Sequence, residues 1–275
     1  MLSCQQYRVS HGFNMDRETE LDIIRRAYAK HITAAAAVTD RRVENAFAAV
    51  RREAFLGPGP RPILRWGRGY EPTPSRDPVY LYDYVLVGIV PERNLNNGEP
   101  SFLAFLIASA APKAGEHSVH IGAGVGYYTA ILQRLATRTG KVTAIEFDPA
   151  LAARLAANFA NARNVKTVCG DGTTVEFDPA DVILVNAGAT RPADLWLDRL
   201  RDGGRLILPL TTAGFPDENV RHGAVFRIER HGDDFPARRI SSVGIFPCEG
   251  ARDPESEAAL ASAFASGGVD KVTRL

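Results

Sequence analysis

Five short apolar runs alternate with amphipathic stretches between residues 118 and 210, and this alternation limits the fold more than any other feature. The runs are "SVHI" (118–121), "KVTAIE" (141–146), "NVKTVC" (164–169), "DVILVN" (181–186) and "GRLILPL" (204–210). They read as strands. "YYTAILQRLAT" follows the first and "PALAARLAANFAN" the second, and both fit helices. Strands alternating with helices imply an α/β fold with a parallel sheet covered on both faces. After residue 220, "HGAVFRIERHGDDFPARRISSVGIF" reads as two more strands around a turn at His231–Asp234, an antiparallel pair for the sheet edge. The expectation is a mostly parallel seven-stranded sheet of Rossmann-like type.

Residues 15 to 55 read as two helices that cover this sheet. In "ETELDIIRRAYAKHI", Leu21, Ile24, Ala27 and Tyr28 mark one apolar face. Thr39 is the expected N-cap of the second helix, with Asp40 in its first turn. "LGPGPRP" then stops helix formation. Residues 56 to 100 read as irregular, and so long a loop-like segment suggests function. The tail "RDPESEAALASAFASGG" reads as a helix capped by Asp253 and stopped at Gly267. The expected organisation is a helical cover and loop over 1–100, a ligand-binding domain over 101–246, and a C-terminal extension over 247–275.

Composition restricts the function classes. Hydrophobic residues make up 45% and charged residues 24%, enough for a full core. The net charge of +1 gives no general attraction to nucleic acid or acidic membranes. The apolar run from Ser101 is too short to span a bilayer, and the N-terminal stretch lacks the apolar centre of a signal peptide. Three cysteines, Cys4, Cys169 and Cys248, are too few and too scattered for a disulfide framework or zinc site. No metal site and a cytoplasmic location are expected.

Three glycines, Gly122, Gly124 and Gly126, lie between the first strand and its helix. In such folds ligands sit beyond the carboxyl ends of the strands, and glycine lets them approach the backbone. A dinucleotide site wants G-x-G-x-x-G. Here the third glycine is one position early and Tyr127 stands in its place. No basic residue in the turn offers to hold a phosphate. Glu146 ends the second strand, where a carboxylate can accept both hydroxyls of a ribose. Asp171 and Gly172 follow the third strand in "CGDG", placed to accept from an adenine amino group over a flat space. Each feature alone has an ordinary explanation as loop, solvated end or turn. In order, at three successive strand ends, they fit an adenosyl ligand without phosphates, and S-adenosylmethionine is the natural candidate.

"VENAFAAVRREAFLGP" (43–58), "VHIGAGVGYYTAIL" (119–132), "AIEFDPALAARLAANF" (144–159), "VCGDG" (168–172) and "GGRLILPL" (203–210) resemble protein-L-isoaspartate O-methyltransferases. The similarity runs over roughly residues 18 to 212. It implies a Rossmann-like class I methyltransferase fold with a helical cover and S-adenosyl-L-methionine as donor. It also implies donor contacts from Gly122, Gly124, Glu146, Asp171 and Gly172, joined by Phe147, Asn186 and the backbone or apolar surface of Ala123, Val125 and Tyr127.

The acceptor side departs from that family. Its Thr-Ile-Ser-x-Pro segment corresponds here to "NNGEP" (96–100), with Asn96 for the Thr, Gly98 for the Ser and only Pro100 kept. Tyr82 and Asp83 match the family's upstream loop. The acceptor-side candidates are therefore Asn96, Asn97, Tyr82, Asp83 and Asn186, with Arg191 nearby. Amides donate and accept, so they can still orient a carboxylate. Asn186 and Arg191 each keep a plain alternative, backbone bonding and a solvated charge. His120 reads as a packed strand histidine with one nitrogen on backbone, or as a base if the acceptor is a hydroxyl or amine. Cys169 reads as small and buried, and Tyr128 as core. The expected function is a carboxyl O-methyltransferase of the isoaspartyl type. Its acceptor is a peptide or small molecule, without nucleic acid or membrane. The alternatives are a methyltransferase on a small molecule or modified peptide, an NAD-dependent oxidoreductase, and a cofactor-binding protein without catalysis.

Overall fold

The computed structural model describes residues 15–213 and 221–275. Cys4 and the stretch read for a leader lie outside them. Helix α1 spans Arg17–Ala35 and α2 spans Arg41–Ala49. Asp40, not Thr39, caps α2, because its carboxylate accepts from the Arg42 amide at 2.9 Å. The buried face of α1 also differs from the periodicity reading. Leu21 and Tyr28 are buried, Ala27 is exposed, and Arg25 takes an interior place near Glu18, Asp22 and Glu53.

The segment read as irregular holds two hairpins. β1 (Pro62–Arg65) pairs with β2 (Gly69–Pro72), and β3 (Gly88–Val90) pairs with β4 (Leu95–Asn96). Their turns use left-handed backbone at Gly67 and Asn94, which is why short strands fit there. Helix α3 (Pro100–Ala110) follows, capped by Glu99 through the amides of Ser101 and Phe102.

The central sheet then forms from β5 (His117–Ile121), β6 (Lys141–Glu146), β7 (Val165–Cys169), β8 (Ala180–Val185), β9 (Leu200–Thr212), β10 (Arg221–Glu229) and β11 (Ala237–Ile245). Its order is β11-β10-β9-β8-β5-β6-β7. β7, β6, β5, β8 and β9 are mutually parallel; β10 and β11 run antiparallel at one edge. Helices α4 (Tyr127–Ala136) and α5 (Pro149–Asn158) make the crossovers that parallel pairing requires. α6 (Asp194–Arg199) precedes β9, and α7 (Pro254–Ala265) closes the chain with Asp253 as its cap.

The sheet separates two cores. On one face Ile32, Phe47, Leu106, Ile107, Ile131 and Leu132 bring α1, α2, α3 and α4 together. On the other, Val119, Ile183, Leu206, Leu208 and Trp196 pack beneath α6. Each fully buried large apolar side chain stabilises by about 1.5–3 kcal/mol. Trp196 also donates to the Gly172 carbonyl at 2.7 Å, which fixes the chain beyond β7. Among the described residues no helix is long and apolar enough to cross a membrane.

Two corrections follow from strand order. β7 is the outermost parallel strand, so Cys169 is exposed, not buried. His120 sits in a central strand and is fully buried, but its Nδ1 pairs with the Thr129 hydroxyl at 2.9 Å, not with backbone. Burial pushes its pKa down to about 4, and His117 is lowered by the same cause. A histidine depressed in the folded state stabilises fully above its unfolded pKa, near 6.5, and loses that contribution as pH falls towards 4. For His120 the loss is on the order of 3 kcal/mol. Urea unfolding between pH 7 and 4 should therefore show falling stability, and His120→Leu should flatten the slope. An unchanged slope would contradict the buried neutral state.

Candidate active site

The glycine turn joins β5 to α4, and its three glycines answer three different constraints. All have positive φ: 71° at Gly122, 57° at Gly124 and 98° at Gly126. At Gly122 the backbone passes under β8, and a Cβ would stand 3.2 Å from the Asn186 carbonyl oxygen. The amides of Gly122 and Ala123 both donate to Ile145 at the end of β6. At Gly124 a Cβ would meet only Ile89, at 3.7 Å, so this glycine presents an open face. At Gly126 a Cβ would collide with Phe159 at 2.5 Å and Leu155 at 2.7 Å, so the third glycine serves the packing of α4 against α5.

Glu146 ends β6 beside this turn and is 7% exposed. Its Oε2 accepts from the Gly124 amide at 2.6 Å and its Oε1 from the Asp148 amide at 2.9 Å. Burial raises its pKa; the two amides pull the other way and do not cancel the effect. Each oxygen keeps a second lone pair, so the carboxylate can still accept hydroxyls. Phe147 beside it is 51% exposed and offers a bare aromatic face. Asp148 caps α5 and is held by Arg93.

The crevice after β7 is built differently from the sequence expectation. Asp171 Oδ1 accepts from the Thr173 amide at 2.8 Å and hydroxyl at 2.7 Å, which leaves Oδ2. Gly250 lies against that oxygen: with φ of 80°, a Cβ there would stand 2.1 Å away. Gly172 is not a flat floor but a packing glycine, since its Cβ would meet Ile121 at 2.4 Å. The strap that carries Gly250 runs from Phe246 to Ala251. It is tied to the segment after β8 by Gly188 N–H to Phe246 O, Cys248 N–H to Gly188 O and Thr190 N–H to Ala251 O. Cys248 is buried beneath it, and burial followed by Asp171 pushes its thiol up to about 12.

Several sequence-chosen residues face elsewhere. Ala123 and Val125 are buried, Val125 against Leu56, Ile63 and Leu151. Tyr127 is 1% exposed, wedged between Phe47, Phe55 and Tyr128, so its side chain belongs to the core. Tyr82 turns inward, donates to Glu53 and packs edge-on against Tyr28. Asp83 is exposed and accepts from the Tyr84 amide. Asn96 spends its side chain on its neighbours, donating to the Tyr70 hydroxyl on β2 at 3.0 Å and accepting from the Gly98 amide in its own loop at 2.9 Å. Asn97 points into the protein and accepts from Arg52 at 3.0 Å. Asn186 donates its amide to Ile121 at 2.8 Å, at the shared carboxyl edge of β5 and β8. Arg191 pairs with Asp253 at the entry to α7. The structure thus brings Gly122, Gly124, Glu146, Asp171 and Asn186 to one edge of the sheet. It turns Tyr82, Asn97 and Tyr127 away from it. Arg52 was missed, because it has the same chemistry as its neighbour Arg51; the stretch "FPCEGARD" (246–253), which holds the strap, stands out from the sequence as lying outside the family pattern.

The family model described as protein-L-isoaspartate(D-aspartate) O-methyltransferase matches residues 81–234. A protein-L-isoaspartate O-methyltransferase of Rhodopseudomonas palustris is 30% identical over 230 residues, covering 81% of this chain and 93% of that protein. One from Thermotoga maritima is 30% identical over 174 residues, covering 61% of this chain; the chain spans half the length of that relative. A solved protein-L-isoaspartate O-methyltransferase superposes with a TM-score of 0.66 at 22% identity, over 82% of this chain and 66% of that one. A Plasmodium falciparum protein described by the same activity, solved with S-adenosyl-L-homocysteine, gives 0.61 at 16% identity, over 82% and 98%. The two structures establish the shared fold.

The glycine assignments have a direct test in thermal unfolding. Gly126→Ala adds a collision to positive-φ strain and should cost roughly 2–5 kcal/mol. Gly124→Ala adds strain alone, about 1–3 kcal/mol. Equal losses would contradict the separate roles.

Proposed function

This chain belongs to the protein-L-isoaspartate(D-aspartate) O-methyltransferase family, and from that premise we propose that it methylates a carboxylate on an altered aspartyl residue of a peptide or protein. The observation that carries the reading is the open-faced Gly124 bonded directly to the buried carboxylate of Glu146. A nucleoside fits there better than a dinucleotide, because an anionic pyrophosphate would lie against Glu146. S-adenosylmethionine supplies, when bound, a methyl group activated by a positively charged sulfur. Gly122 and Gly124 would hold its amino-acid arm, Glu146 its ribose hydroxyls, and Phe147 with Asp171 Oδ2 its base.

The chain's own groups suit a carboxylate acceptor. A carboxylate is already a nucleophile at neutral pH and needs no base. His120, the histidine of β5 next to the turn, is fully buried and held neutral. What the protein contributes is position, worth on the order of 7–11 kcal/mol at best. In this reading residues 101–246 carry the donor, residues 1–100 cover and orient the acceptor, and 247–275 wall the base end. The sparse cysteines, with Cys169 and Cys248 both free, fit a cytoplasmic setting.

A second reading keeps the reaction and changes the acceptor to a small molecule or modified peptide. It is favoured by Asn96, which replaces a hydroxyl and whose side-chain amide is bonded to Tyr70 and Gly98. Assay of an isoaspartyl peptide, its ordinary aspartyl counterpart and a panel of small acids separates the two. Turnover of the isoaspartyl peptide alone supports the first reading; turnover only within the panel supports the second. Glu146→Ala should weaken S-adenosylhomocysteine binding by about 1–3 kcal/mol in calorimetry. Unchanged affinity would remove Glu146 from the donor site.

A further inference from the structure

Arg52 is fully buried, yet it pairs with no carboxylate among the described residues. Two other buried arginines solve that problem with carboxylates, while Arg61, also buried, donates to the Gly57 and Arg76 carbonyls. Arg205 forms a two-pronged pair with Glu116 at 2.7 and 3.0 Å. Arg25 has Glu18, Asp22 and Glu53 about it. Arg52 has only neutral acceptors. Its Nη1 donates to Leu81 O at 2.6 Å and more weakly to Asp83 O at 3.4 Å. Its Nη2 donates to Val85 O at 2.8 Å and Asn97 Oδ1 at 3.0 Å. Glu99 acts on it from further off, without a direct bond, while its oxygens cap α3.

Its surroundings have donors to spare. Arg52 Nε and Asn97 Nδ2 are both buried without a hydrogen-bond partner. The Tyr127 ring centroid lies 5.8 Å from the guanidinium carbon, and Tyr28 also bears on the charge. The carbonyls that Arg52 holds belong to the loop of Tyr82 and Asp83, and its amide partner belongs to "NNGEP". One cation therefore staples together both segments that the family resemblance assigns to the acceptor. A buried charge without a counterion is costly and attracts any anion brought near it.

We propose that Arg52 is a positioning residue which joins residues 81–85 to Asn97 and, through a buried charge with no directly bonded carboxylate, makes the acceptor side select a carboxylate over an uncharged analogue. This rests on the acceptor reading above. A neutral acceptor of the same shape, such as an amide, would gain little from the buried charge.

Asn97→Asp tests this without disturbing Arg52. It keeps the accepting oxygen, removes the partnerless Nδ2 donor and supplies the missing counterion in place. Binding to the S-adenosylhomocysteine complex would be measured for two acid–amide pairs: isoaspartyl against isoasparaginyl peptide, and succinate against succinamide. The wild type should prefer the acid at least tenfold in one pair or both. Asn97→Asp should lose that preference while binding S-adenosylhomocysteine within twofold of wild type and melting no lower. Arg52→Gln should also lose the preference; Arg52→Lys should retain part of it. Equal affinities within both pairs in the wild type, or an undiminished preference in Asn97→Asp, would overturn the proposal. Acid preference without methylation of the isoaspartyl peptide would support the role of Arg52 and count against the reaction.

Discussion

The carboxylate of Glu146 is the interaction on which the candidate site depends. It bridges the glycine turn of one crossover to the first turn of the next, through the amides of Gly124 and Asp148. Without it two inward-facing N–H groups would be orphaned, each costing about 1–3 kcal/mol. Its burial raises the carboxyl pKa, so the protein bears a cost to keep a charge there. A single residue thereby ties the glycine turn to the start of α5.

Around that point two additions to the sheet close the edge. The β3–β4 hairpin brings Ile89 over Gly124, and the strap of the C-terminal extension lays Gly250 on Asp171. The strap lies outside residues 81–234, the span of the family match. Its anchoring is local and polar, through Gly188, Thr190 and the Arg252 guanidinium, which donates to Gly188 O and the Thr211 hydroxyl. The Asp171 crevice is thus shaped by residues that the sheet itself does not supply.

What could be read from the sequence was whatever repeats or recurs along the chain. Short continuous apolar runs and period-3.6 stretches placed the parallel strands and their crossovers, because burial on both faces leaves that pattern wherever it occurs. The strand ends then followed, and with them Gly122, Glu146 and Asp171. What stayed hidden depends on neighbours distant in the chain. Cys169 looked buried because strand order, which puts β7 outermost, is not written in its own residues. Gly172 looked like a ligand contact, but it is small because Ile121 lies against it, as Gly126 is small because Phe159 does. Asn97 sits in the same dipeptide as Asn96, and only the buried Arg52 decides that it faces inward. Arg52 itself could not be told from Arg51, since an exposed and a buried arginine are the same letter.

A nucleoside with an amino-acid arm and no phosphate is expected to bind across the Gly122–Gly126 turn, Glu146 and the Asp171 crevice. A crystal structure with S-adenosylhomocysteine tests this most directly. Both ribose hydroxyls should fall on Glu146, the amino-acid arm along Gly122 and Gly124, and the base between Phe147 and the strap. A ligand bound elsewhere, or a pyrophosphate preferred at the glycine turn, would contradict it.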